Sequence, residues 1–413
     1  MVATTATHTS AATRSRLPLA ALFCANLISQ TGSMLTFVAI PWFVLQTTGS
    51  ATKAGLTGFF EALPYFAAGF FGGALVDRLG FKRTSVLADL ANGATVAAVP
   101  LLYFTVGLSF WQLQALVFLG GLLTIPGSTA RAALVPDLAA LAGLRLERAN
   151  ATVQAIQRGA QLLGAPLAGV LIAALGARTV LWLDAATFLC SALAIGAFVP
   201  RITAACPQAG RYLDDLREGL RYLRRDRLMT AIAVIVAITN LLDTPFAAIV
   251  LPFWTKATQG STVPLGLLLA VGGGGSLLGA LVYGAVGHRL PRRKTFVGAF
   301  VVAGLPFWVL AAGPTLIVLL VARLIGGLAS GPINPILATA EQERIPVALR
   351  GRVFGLITAI AYMAIPLGLL VTGFLLDRIG LRATVLLTAC CYLATTLSMA
   401  IIPAFRDLDT PAR

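Results

Sequence analysis

The chain is poor in charge and poorer in acid: 11% of its 413 residues are Asp, Glu, Lys or Arg, and only 16 are acidic. It has two histidines and five cysteines. Cys24, Cys190, Cys206, Cys390 and Cys391 show no Cys-x-x-Cys spacing, so neither a disulfide frame nor a metal site is expected. A metallohydrolase lacks its His pairs here, and no Ser–His–Asp set is recognisable. The glycine run Gly272–Ser276, "GGGGS", has no Gly-Lys-Ser/Thr after it and lies in an apolar stretch. A self-contained ATP pump is therefore excluded, and the run is read as close helix packing through small residues. No cofactor is expected, and no enzyme activity.

What fills the chain is hydrocarbon. Apolar residues make up 58% and the mean hydropathy is +0.87. A helix needs ~20 mostly apolar residues to cross a bilayer, and such runs recur about twelve times. They fall near 18–47, 53–77, 84–106, 109–134, 147–175, 179–200, 228–256, 262–287, 295–313, 315–340, 352–377 and 382–403. Backbone polar groups in lipid need internal partners, and period-two alternation is absent, so the runs are helices and not barrel strands. An all-α, multi-pass membrane protein is expected. The first run is too long for a cleavable signal.

Net charge +15 invites a nucleic-acid reading, which the distribution rejects. With the amino terminus inside, only Lys53, Arg178, Lys256, Arg378 and Arg382 fall in outer loops, and Arg158 and Arg323 fall within runs. The rest of the 31 basic residues, Arg131 included, fall on inner segments. The positive-inside rule then places both termini in the cytoplasm. The Arg excess over Lys hints at a GC-rich bacterial genome, and the cell membrane of a bacterium is the expected location.

The chain repeats itself. "PWFVLQTTG" (Pro41–Gly49) and "PFWTKATQG" (Pro252–Gly260) share a frame, and the same offset lays Gly73 on Gly284, Arg78 on Arg289 and Lys82 on Arg293. "GGLLTIPG" matches "GGLASGPI", and "GVLIAALGARTV" matches "GFLLDRIGLRATV". The division is a tail over 1–16, a six-helix bundle over 17–200, a linker over 201–227, a second bundle over 228–403 and a tail over 404–413. In the linker Leu213, Leu216, Leu220 and Leu223 keep a helical period, predicting an amphipathic helix on the cytoplasmic face with Arg toward anionic lipid. A solvated tether is the alternative.

Two parallel six-helix halves, inner termini and a charged loop after the second helix resemble the major facilitator superfamily. Its loop motif runs Gly-x-x-x-Asp-Arg/Lys-x-Gly followed by basic residues. Here it reads Gly73, Asp77, Arg78, Gly80, Lys82, Arg83, with Phe81 in place of one basic residue. "LVPDLAALAGLRLERANA", "LDAATFLCSAL" and "EQERIPVALRGRVFG" resemble the macrolide-, drug- and siderophore-exporting branch. Two departures stand out. Ser33 follows Gly32 where that branch often has an acid, and the fifth helix reads Gly164-Ala165-Pro166 where a Gly-Pro antiporter motif is usual. The resemblance implies twelve helices in two pseudosymmetric bundles with the site between them. It also implies that Gly73, Asp77, Arg78, Gly80, Lys82, Arg83 and Asp89 form a gate: Asp77 would cap the eleventh helix, and the basic residues would pair with Asp89 or acidic lipid.

Ionisable groups inside spans are costly and are candidates by default. They are Glu61 in the second run, Arg158 in the fifth, Asp243 in the seventh and Arg323 in the tenth, with Asp89 and Asp184 nearer span ends. At ~1.5 Å rise per residue, Asp243 stands roughly 20 Å and Arg323 roughly 12 Å below the outer face. If the seventh and tenth helices adjoin, as the resemblance implies, the two form a pair that protonation of Asp243 releases, or a static pair. Glu61 handles a proton or a cationic substrate, pairs with Arg158, or is structural. Polar stripes at helical spacing mark a central cavity: Asn26, Gln30 and Ser33 on the first helix, then Gln154, Gln157 and Gln161 with Asn150 on the fifth. Asn240 and Asn334 extend it, and Phe37, Trp42, Phe246, Phe253 and Trp254 would suit an amphipathic ligand.

The function expected is secondary active export of a small amphipathic molecule (drug, antibiotic or siderophore-like) by proton antiport and alternating access. Its partners are that substrate, protons and membrane lipid, without nucleic acid, and the protein is expected to be a monomer. A secondary importer or uniporter of a metabolite is the first alternative. A non-transporting receptor or scaffold of the same fold is the second.

Overall fold

The computed structural model describes residues 15–64, 79–201, 212–346 and 349–409. Their regular structure is helical, as a backbone in hydrocarbon requires. The amino-terminal half comprises α1 (Leu17–Thr48), α2 (Ala51–Ala62), α3 (Phe81–Thr105), α4 (Phe110–Ala142), α5 (Leu146–Leu175) and α6 (Ala177–Phe198). The linker carries α7 (Tyr212–Arg225). The other half comprises α8 (Arg227–Thr258), α9 (Val263–Arg289), α10 (Arg292–Ala311) and α11 (Leu316–Arg344). The last stretch, Arg350–Ile401, is broken at Gly380 (φ 79°, ψ 171°) into α12 (350–379) and α13 (381–401). Ten described stretches are long and apolar enough to cross a membrane. Dividing the last at Gly380 makes eleven, and α2 opens the remaining expected span, whose continuation lies outside the described residues.

Within the first half α6 packs on α1 and α3, and α4 on α3; in the second, α8 packs on the Arg350–Ile401 stretch and α9 on α11. Side chains such as Leu163 (68% exposed) and Ile317 (73%) point outward, where lipid tails would solvate them. Two features differ from the expected spans. First, α4 runs on past the expected end at 134 to Ala142, so Arg131 stands inside a helix and not on an inner loop. Second, α8 contains a single π turn, Phe246–Val250, directly after Pro245. Pro252 follows the π turn; a proline supplies no N–H and its ring crowds the preceding turn, so the backbone relaxes into the wider helix there.

The halves touch through α2 against α12 and through α5 against α9. Both seams use glycine. A methyl at Gly169 would stand 2.7 Å from the Thr262 carbonyl oxygen and 3.1 Å from Gly266 Cα. One at Gly373 would stand 3.0 Å from Gly55 Cα. Thr262 Oγ1 donates to the Gly169 carbonyl at 2.6 Å, and Lys256 Nζ donates to the Leu45 carbonyl. These contacts cluster at the end bearing the turns at Gly49, Gly176, Gly260 and Gly380. Toward the opposite end the seam face of α9 is uncovered among the described residues: nothing beyond its own helix lies within 4 Å of where a Cβ would stand at Gly284. Among the described residues the two halves are therefore closed together at the end bearing these turns.

The linker helix forms over Tyr212–Arg225 with Leu223 buried and Arg221, Arg224 and Arg225 exposed. It docks on the second half. Tyr222 Oη donates to the Arg344 carbonyl at 2.8 Å, and Glu218 pairs with Arg352.

Candidate functional site

Each half holds a cavity with polar and charged side chains on its wall. The one in the first half, about 260 Å³, is lined by Gln30, Ser33 and Phe37 from α1 and by Glu61 from α2. Asn92 from α3, Arg131 from α4 and Asp184 from α6 complete its polar wall. The carboxylates have different surroundings. Asp184 is fully buried and accepts from Thr36 Oγ1 of α1 and from Thr187 Oγ1 at 3.0 Å. Gly32 makes room for it, because a side chain there would overlap Asp184 and Thr187. Asp89 is also fully buried; it pairs with Arg131 at 3.1 Å and accepts from Ser191 Oγ at 2.6 Å. Glu61 is half-buried on the cavity wall. Asn92 Oδ1 and Arg131 Nη1 have no hydrogen-bond partner among the described residues. Buried polar atoms are seldom left so, and these two mark where water or a ligand would bond.

The cavity in the second half, about 320 Å³, is lined by Asn240 and Asp243 from α8, Gly272 and Ser276 from α9, Arg323 and Asn334 from α11, and Tyr392 from α13. Asn240 Nδ2 donates to the Ala361 carbonyl at 2.9 Å, tying α8 to α12. Asp243 sits two residues before Pro245 and its π turn, and its side chain is exposed to the cavity. Arg323 and Tyr392 stand on the wall of the same cavity. No ion pair within 4.0 Å joins Asp243 and Arg323 among the described residues; they face one another in one cavity. Arg323 is held elsewhere: Nε donates to the Leu268 carbonyl at 3.3 Å, and the guanidinium lies 5.8 Å over the Phe246 ring. Phe246 packs at a tilt against Phe307, and Phe307 against Tyr392, with centroids 4.4 and 5.2 Å apart.

The remaining expected residues sort by face. Gln154, Arg158 and Gln161 are exposed, and Gln157 partly so. At about 100° per residue, Gln154, Arg158 and Gln161 stand roughly 140–180° around α5 from the outward-pointing Leu163. Their exposure is to the opening between the halves. Arg158 does not line the cavity that holds Glu61, and no ion pair joins the two among the described residues. Asn26 is buried, and Ser33 Oγ donates to the Ser29 carbonyl at 2.9 Å. Phe37 lines the first cavity, whereas Trp42 and Trp254 are core side chains. Among the gate residues Gly73, Asp77 and Arg78 lie outside the described residues. Gly80 precedes α3, and Lys82 and Arg83 occupy its first turn. Asp89 has Arg131 for its ion-pair partner instead of Lys82 or Arg83, because it lies two turns further along α3 on the face toward α4 and α6.

The sequence reading missed the roles of Arg131, Asp184, Thr36 and Tyr392. Asp184 carried a signal, a lone acid in the apolar stretch of α6. Arg131 was passed over because it was counted with the basic residues of the inner segments, although the expected run reached 134.

Two helical halves, closed together at one end and each holding a cavity with ionisable side chains on its wall, define the major facilitator fold. Solved structures agree. The chain aligns with the nucleoside transporter NupG at a TM-score of 0.77 and 12% identity, covering 93% of this chain and 98% of that one. It aligns with the peptide transporter POT at 0.75 and 15%, covering 94% and 95%. Residues 9–411 match the model of the transmembrane secretion effector family, and the chain belongs to that family. Relatives include the multidrug efflux pump Tap of Mycobacterium tuberculosis, 37% identical over 404 residues and 95% of each chain. Tap of Mycolicibacterium fortuitum is 34% identical over 96% of this chain and 98% of its own. Macrolide efflux protein A of Streptococcus pyogenes is 22% identical over 95% and 98%.

Proposed function

We propose that the protein exports small amphipathic molecules of the drug, antibiotic or siderophore-like kind from the bacterial cytoplasm in exchange for protons. The observation that carries this is Asp243, a carboxylate open to water in a cavity deep in the bundle, with Arg323 and Tyr392 beside it. The full-length likeness to efflux pumps supports the direction. The positive-inside bias supports cytoplasmic termini, and with them we read the closed end as the outer one and the state as inward-facing.

In this state a substrate enters from the cytoplasm between the halves. The glutamines of α5 and the asparagines of α8 and α11 offer hydrogen bonds, and the cavity walls offer apolar surface. Charge then sets the cycle. Ionised Asp243 is drawn to Arg323, and protonation removes that attraction, so the proton loaded from outside alters how α8 and α11 face each other across the cavity. Glu61 is a second site for a proton or for a cationic substrate. Gly73, Asp77, Arg78, Gly80, Lys82 and Arg83 form the cytoplasmic gate, which stabilises the outward-facing state.

The test is accumulation of a panel of dyes and antibiotics in an efflux-deficient bacterial host. Expression lowers accumulation, collapse of the proton gradient restores it, and Asp243→Asn removes the response to the gradient. An importer gives the opposite sign, with accumulation falling when the gradient collapses. Intact gradient-driven efflux by Asp243→Asn ends the coupling role.

A further inference from the structure

The closed end is held by a contact across 325 residues of sequence or more. Asp377, at the end of α12, reaches over to the start of α2 in the other half. Its Oδ1 accepts from the Ala51 backbone N–H at 2.9 Å. Its Oδ2 accepts from the Thr52 N–H at 2.8 Å and from Ser50 Oγ at 2.7 Å. Ser50 Oγ in turn accepts from the Lys53 N–H at 3.2 Å. The first-turn donors of α2, which no intrahelical carbonyl can serve, are thus shared between its own N-cap and a carboxylate from the opposite bundle. That carboxylate also stands at the positive end of the helix dipole. One turn further in, Gly55 and Gly373 bring the two backbones together.

The residues around Asp377 copy the charged loop after α2. At an offset of 300, Gly73, Leu75, Asp77, Arg78 and Gly80 fall on Gly373, Leu375, Asp377, Arg378 and Gly380, and Lys82 falls on Arg382. The glycines match in backbone as well: Gly80 has φ 77° and ψ 157°, Gly380 φ 79° and ψ 171°, and each directly precedes a helix. The described part of α2 runs antiparallel to α12, with Ala51 and Gly55 against Gly373, and Gly58 against Leu369.

We infer that Asp377 is a gating residue of transport, the latch of the end opposite to the Asp77 loop. It caps α2 while that end is closed, and the cap breaks when the halves part there. The same helix pair thereby carries one carboxylate latch at each end, and the two are made alternately. Its consequence for transport rests on the alternating-access reading above, whereas the contact itself does not.

The experiment measures the opening of this end directly. Spin labels at Thr105 and Ala312, both exposed at the closed end and one in each half, report the separation in purified full-length protein whose native cysteines are replaced by serine. Removing an N-cap of this kind with Asp377→Ala raises the ratio of long to short distances about tenfold. Ser50→Ala, which removes one of three bonds and is the milder variant should Asp377→Ala fold poorly, raises it by about threefold. Arg378→Ala, whose side chain lies over Phe374 and outside the cap, leaves the ratio unchanged. In cells Asp377→Ala lowers efflux while dye binding to the purified protein stays within about twofold. Wild-type distances in both Asp377→Ala and Ser50→Ala overturn the latch. A wild-type protein that moves no compound of the panel, with the distance shifts present, overturns the export reading and leaves the latch standing.

Discussion

The carboxylate of Asp89 and the guanidinium of Arg131 meet at 3.1 Å inside the first half, the acid fully buried and the base 8% exposed. Isolated burial of either charge is expensive, and the pair is secured by Ser191, so removal of one partner leaves the other uncompensated. Arg131→Met or Asp89→Leu alone should destabilise the protein by about 3–5 kcal/mol. The double variant should recover most of that loss. Thermal unfolding in detergent checks this, and additive losses in the double variant would refute the coupling.

Gly272 bears on the second cavity in the same way. A methyl there would stand 2.8 Å from Arg323 Cζ and 3.0 Å from its Nε, so Gly272→Ala displaces the guanidinium from its seat beside Phe246. If Arg323 acts through Asp243, this variant should shift the pH dependence of efflux in the direction of Arg323→Leu while retaining the fold. Efflux followed across pH in everted vesicles reads the effect, and a wild-type pH profile would detach Arg323 from the coupling.

The architecture was legible because hydropathy and charge asymmetry record it directly. Twelve apolar runs, basic inner loops and a repeated register are properties of the chain itself, and rise per residue brought Asp243 and Arg323 within about 8 Å of each other in depth. Partner choice was not legible. Asp89 finds Arg131, and Asp184 finds Thr36, through the rotation of α3, α4 and α6 about their own axes, which hydropathy does not encode. Asp377 was passed over for a different reason: its stretch was aligned with α5, which has no acid there, although it matches the loop after α2 more completely. Tyr392 gave no warning, since a lone tyrosine in an apolar run has many uses.

Linker docking should be insensitive to pH across the neutral range. Burial, and then the negative charge of Asp226, push the Tyr222 phenol above its ordinary value, while Arg344 pulls the other way. A raised folded value means that its contribution is fully present below the ordinary ~10 and is lost as pH climbs through the raised one. Tyr222→Phe removes the bond to the Arg344 carbonyl and should weaken docking of α7 by about 1 kcal/mol. Hydrogen exchange over α7 should therefore accelerate roughly fivefold in Tyr222→Phe. Unchanged exchange would show that Leu223 and the Glu218–Arg352 pair hold the helix alone.

The glycine seam between α5 and α9 makes the last prediction. At Gly169 an added side chain meets backbone, the Thr262 carbonyl oxygen at 2.7 Å and Gly266 Cα at 3.1 Å, and backbone cannot swing aside as a rotamer can. Gly169→Val therefore cannot be accommodated while this end is closed. It is accommodated when the halves part, since α5 is otherwise a helix that tolerates valine at about 0.5 kcal/mol. The variant should fold, populate the state open at this end and lose at least about tenfold in efflux. Labels at Thr105 and Ala312 should report the longer separation as the main population. A short separation with normal efflux would mean that the seam yields more easily than its backbone contacts allow.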